Sequence, residues 1–139
     1  MKKTFFDTVI AGVGGLTAFL FGEIGGVLYA LIALIVLDYV TGVVDAAFHK
    51  KISSGIGFKG IQRKAMIFIV VAVANIIDVH VLAASGFLRS AVIFFFIANE
   101  GISILENAGS LGVPIPRKLL EMLEQLKSKN NNEEDNNND

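Results

Sequence analysis

The chain has 139 residues, of which 53% are hydrophobic and only 18% charged, and its mean hydropathy is +0.63. A soluble domain carries about 25% charged and about 45–50% apolar residues, so the balance points away from a water-soluble globule and toward an all-α integral membrane protein. The formal net charge is −1, and the absence of cysteine excludes disulfides and thiolate metal sites.

Met1-Lys2-Lys3 leads into an apolar stretch with the outline of a signal peptide. A small-residue cleavage site is not clear and further apolar segments follow, so the stretch is read as retained. Four segments, about 5–22, 24–48, 65–84 and 87–109, are predicted as transmembrane helices within a membrane domain over 1–112. At about 1.5 Å per residue they reach about 27–38 Å, enough for a hydrocarbon core of about 30 Å. None is free of charge throughout, but Leu28 to Leu37 and Met66 to Ala74 are apolar on every side.

The first segment is the weakest span, because it carries Asp7, Gly12, Gly14 and Gly15. Three crossings, with this segment lying in the interface, are the alternative. Ala11, Gly15, Ala18, Gly22 and Gly26 recur at helical spacing. Such small-residue faces let helices approach closely, which favours self-association.

The second segment ends with Asp38, Thr41, Gly42 and Asp45 on one face. The stretch His49 to Arg63 reads as a solvated turn or as a contact for anionic lipid heads. The third segment carries Asn75 and Asp78, three residues apart. The fourth carries Asn99, Ser103, Glu106 and Asn107 on one face, with Glu100 beside it. Counting the rise along each helix, Asp38, Glu100 and Asn75 are expected to meet near the bilayer middle, with Asp45 and Glu106 near the cytoplasmic surface. A carboxylate at mid-helix costs roughly 2.5–3.5 kcal/mol on insertion scales. These groups therefore serve either static helix packing or a water-filled path and assembly.

After Pro114 and Pro116, leucines at positions 119, 120, 123 and 126 recur at helical spacing, which predicts a short amphipathic cytoplasmic helix within 113–129. It is expected to lie on the membrane or to pair with a neighbouring subunit. The segment 130–139, NNNEEDNNND, has no apolar residue and is predicted to be disordered. If the N-terminus is cytoplasmic and all four segments cross, 11 of the 12 bases fall on the cytoplasmic side, with Arg89 alone outside. That bias places both termini in the cytoplasm.

Three stretches carry a family resemblance: Leu37-Asp38-Tyr39-Val40-Thr41-Gly42 closing a helix, Lys51 to Gly60 leading into the next, and Phe96 to Asn107 followed by Gly112-Val113-Pro114-Ile115-Pro116. In order and spacing, over about 25–127, they resemble the phage lysis and toxin-secretion holins, the family with the clostridial toxin-release proteins. The resemblance implies a protein that accumulates in the bacterial cytoplasmic membrane and assembles into lesions through which an endolysin or a large toxin leaves. It points to Asp38, Tyr39, Thr41 and Gly42, to Gly57 and Gly60, and to Asn99, Glu100, Glu106 and Asn107, without assigning their roles.

The expected partners are further copies of the chain and the lipid bilayer. Endolysin or toxin would be a functional partner without stable binding, and no nucleic acid is expected. Two rivals remain: a small ion channel or transporter subunit using the same acids, and a membrane scaffold holding a partner through residues 116–127. An enzyme is not expected, since no nucleophile–base pair or metal cluster is evident. No cofactor is expected, and His49 and His80 are far apart in sequence and make a poor metal site.

Overall fold

A computed structural model describes residues 1–136, with side chains described for residues 1–129. The described residues form helices and connections, with no strand among them: α1 (Lys2–Phe21), α2 (Gly26–Phe48), α3 (Ser54–Ile76), a π-helical turn (Ile77–Val81), α4 (Phe87–Ser110) and α5 (Arg117–Asn136). Four stretches are long and apolar enough to cross a membrane: Lys2–Phe21, Gly26–Phe48, Ser54–Val81 and Phe87–Ser110.

The core lies among the N-terminal halves of α2 and α4 and the C-terminal half of α3. Leu28, Leu31 and Ile35 meet Ile67, Val71 and Ile93, with Phe21, Phe68 and Phe96 packed around them. The rings of Phe21 and Phe68 meet edge to face at 6.3 Å. Outside this core, large apolar side chains such as Phe5, Val13, Val36, Ile69 and Phe94 are exposed, a surface suited to lipid rather than water. α1 has no buried residue and packs along α3.

α3 begins at Ser54, well before the predicted start at 65, so the solvated turn shrinks to residues 49–53. Ser53 caps the helix, its Oγ accepting from the Ile56 N–H at 3.2 Å. The early turns of α3 carry Gly55, Gly57 and Gly60, and glycine costs about 1 kcal/mol in a helix. Cβ atoms added at Gly57 and Gly60 would lie 3.6 Å from the Tyr39 hydroxyl and 3.7 Å from its ring, in ordinary contact. Both glycines therefore face Tyr39 of α2.

α3 also ends early. At Leu82 the N–H bonds to the Ile77 carbonyl at 2.9 Å, one residue beyond the α-helical partner. The chain then turns through Ala83 (φ 47°) and Gly86 (φ 84°) into α4.

α5 folds back along α4. A Cβ at Gly109 would lie 3.7 Å from Ile115, and one at Gly101 would lie 3.1 Å from Leu123. Lys127 Nζ donates to Asn99 Oδ1 at 3.2 Å. The amphipathic helix thus packs in part against α4 of its own chain, while Leu119, Met122 and Leu126 stay exposed. It also runs on to Asn136, past the predicted start of disorder at Asn130. Once nucleated, a helix adds one bond per residue fixed, and Asn costs it no more than about 0.7 kcal/mol. The remainder of the predicted disordered tail, 137–139, lies outside the described residues.

Candidate functional site

Three helices contribute one charged side chain each to a single cluster. Lys64 of α3 donates to both Asp38 Oδ2 of α2 and Glu100 Oε2 of α4. Asp38 and Glu100 are buried, at 8% and 2% exposure. A single ammonium thus serves two carboxylates. Breaking such a buried pair by removing one partner costs about 3–5 kcal/mol, so the cluster is sensitive to the loss of any member.

A second layer of hydrogen bonds surrounds Asp38. Asn107 Nδ2 donates to Thr41 Oγ1 at 3.0 Å and to Asp38 Oδ1 at 3.4 Å. Thr41 Oγ1 in turn donates to the Asp38 carbonyl at 3.1 Å. Gly42 faces α4, where a Cβ would make an ordinary contact with Asn107 Nδ2 at 3.7 Å. Ser103 and Asn107 line the back of a groove of about 840 Å3 between α2 and α3. Asn99 faces α5 instead, through Lys127.

Of the three groups expected to meet, Asp38 and Glu100 do and Asn75 does not. Asn75 lies eleven residues beyond Lys64, about 16 Å along α3, because that helix starts earlier than predicted. There Asn75 Nδ2 donates to the Phe19 carbonyl at 3.1 Å. Asp78 is fully buried and caps α4, accepting from the N–H groups of Leu88 at 3.1 Å and Arg89 at 2.6 Å. Arg89 Nη2 reaches the Glu23 carbonyl at 2.6 Å. Asn75, Asp78 and Arg89 thus tie the C-terminal ends of α1 and α3 to the N-terminal end of α4, apart from the cluster around Lys64.

The other candidates are placed as follows. Asp45 sits with its neighbour His49, whose Nδ1 lies 2.9 Å from the Asp45 carbonyl and 3.2 Å from Oδ1. Glu106 is exposed and outside the cluster. Among the small residues, Gly22 (φ 70°) is used within the chain, because a Cβ there would meet Asn75 Oδ1 at 2.7 Å. Ala11, Gly15, Ala18 and Gly26 are exposed, with open space over Gly15 and Gly26.

Two functional residues escaped the sequence reading. Lys64 directly follows the His49 to Arg63 stretch and borders the apolar run from Ala65, and the two buried acids need a counter-ion. Arg89 was read only as an outside charge. Among the described residues no group of three His, Cys, Asp or Glu is arranged to hold a metal.

Comparison with known proteins places this geometry in context. A family model described as the bacteriophage holin family matches residues 15–128. A probable holin of Bacillus phage phi105 is 40% identical over 113 residues, covering 81% of this chain and 82% of that protein. An uncharacterized 14.9 kDa protein of Clostridium perfringens is 42% identical over 120 residues, 86% of this chain and 91% of its own length. The Bacillus subtilis protein YqxH is 40% identical over 114 residues, 77% of this chain and 81% of its own. No solved structure matches.

Proposed function

The chain belongs to the bacteriophage holin family, and on that premise we propose that it gathers in the bacterial cytoplasmic membrane and opens non-selective lesions. An endolysin or a large toxin leaves through them, and host lysis follows in the endolysin case. Both termini face the cytoplasm in this reading, following the distribution of bases.

The observation that carries the proposal is the cluster of Asp38, Lys64 and Glu100 at the seam of three apolar helices. In a lone subunit the charges turn inward onto one another. In a ring of subunits the same groups face a shared lumen, where water solvates them and the desolvation cost falls away. α1 favours the same reading. It has no buried residue, and its exposed Ala11, Gly15 and Ala18 offer a close-packing face to a second copy. The chain supplies passage rather than catalysis, and its cargo needs no stable binding site.

The test is inducible expression in a bacterium, following membrane potential together with escape of a folded cytoplasmic enzyme. Abrupt enzyme release after a delay is the expected result. Depolarisation with the enzyme retained would make the protein a selective channel, and no permeability change would make it a scaffold.

A further inference from the structure

The groove between α2 and α3 has Asp38 and Lys64 of the ion cluster in its lining and no residue of α5. Its volume is about 840 Å3. Pockets of about 300–1,000 Å3 accept small molecules, so it suits a lipid headgroup with the first part of its chains. Lys51, Lys59 and Arg63 line it and are exposed, and among the described residues none of their charged groups meets a carboxylate. Its lining holds one acid, Asp38, against four bases, Lys51, Lys59, Arg63 and Lys64. The groove therefore presents uncompensated positive charge.

Its walls have a second character. Phe58 and Ile61 alternate with these bases along α3 and are exposed at 62% and 52%. Gly57 and Gly60 present backbone to the cavity beside Tyr39. Positive charge beside exposed apolar side chains, at the end of a membrane-spanning pair, fits a ligand that is anionic at one end and apolar at the other.

We infer that this groove binds an anionic phospholipid of the adjoining leaflet, with its phosphate held by Lys51, Lys59 and Arg63 and its chains along Phe58 and Ile61. A base near an anionic lipid surface favours binding by roughly fivefold, so three together are expected to contribute on the order of a hundredfold.

Native mass spectrometry of the full chain in detergent, with phosphatidylglycerol or phosphatidylcholine added, tests this. The expected result is one phosphatidylglycerol retained in preference to phosphatidylcholine. Lys51→Gln/Lys59→Gln/Arg63→Gln should weaken retention on the order of a hundredfold, and Lys59→Gln alone about fivefold. The control Lys2→Gln/Lys3→Gln removes bases outside the groove and should retain lipid as the unaltered chain does. Soluble glycerol phosphate should displace nothing. Equal retention of the two lipids, equal loss in the triple variant and the control, or displacement by glycerol phosphate would each overturn the assignment. Circular dichroism on each variant separates loss of lipid from loss of helix. If the triple variant fails to fold, the single Lys59→Gln variant decides.

Discussion

Asp38 on α2 and Glu100 on α4 accept hydrogen bonds from the same ammonium, that of Lys64 on α3. One cation therefore ties three helices that are each long and apolar enough to cross a membrane. This arrangement is self-contained in one subunit, yet it is made entirely of groups that water would solvate well. The proposed lesion would exchange this internal partnership for a wet lumen between subunits.

Lys64→Met should destabilise the bundle by about 3–5 kcal/mol, because it leaves two buried carboxylates without a cation. Thermal unfolding in detergent measures this. Adding Asp38→Asn and Glu100→Gln to Lys64→Met should recover much of the loss, since no unpaired charge then remains. In cells, Asp38→Asn and Glu100→Gln should each shift the onset of lysis. Unchanged timing in both would remove the acids from the opening step.

Tyr39 lies against Gly57 and Gly60, which hold its hydroxyl and ring within contact range of their Cβ positions. Gly57→Leu should therefore push against the Tyr39 hydroxyl and cost about 1–3 kcal/mol by overpacking. The same substitution in a Tyr39→Ala background should cost less. A difference measured as a double-mutant cycle on thermal stability checks the contact; strict additivity would mean the two helices do not meet there.

The spans were readable because long apolar runs have few other uses. The partnership of Asp38 with Glu100 was readable because counting rise per residue from the outer ends put both at matching depth. Lys64 was not, because a base at the edge of an apolar run has the same appearance as a loop base until a facing acid is known. The glycines of the 51–60 stretch read as turn residues, since the side chain that Gly57 and Gly60 face, Tyr39, lies on another helix. Asn75 and Asp78 have the spacing of a shared face. Their actual work, tying α1 and capping α4, depends on the turn after α3, where local π geometry left no signature in composition. The fold-back of α5 rests on Gly101, whose missing Cβ gains meaning only once Leu123 lies over it.

Asp78 caps a helix that follows it by nine residues. Replacing a capping side chain by Ala costs about 0.5–2 kcal/mol. Asp78→Ala should fall in or above that range, because the site is fully buried, and amide exchange at Leu88 and Arg89 should rise before that in the middle of α4. Exchange that stays slow at both amides would count against the cap.

The docking of α5 depends on the closeness of Gly101 to Leu123. Gly101→Val puts a branched side chain where 3.1 Å is available to the first carbon alone, so α5 should be displaced from α4. Release breaks the hydrogen bond of Lys127 to Asn99 as well. Lys118, Lys127 and Lys129 then become better trypsin sites, and limited proteolysis of the detergent-solubilised protein should cut them faster than in the unaltered chain. Adding Leu123→Ala restores room over position 101 and should slow cleavage again. Equal rates in all three proteins would show that α5 is held by contacts other than this one.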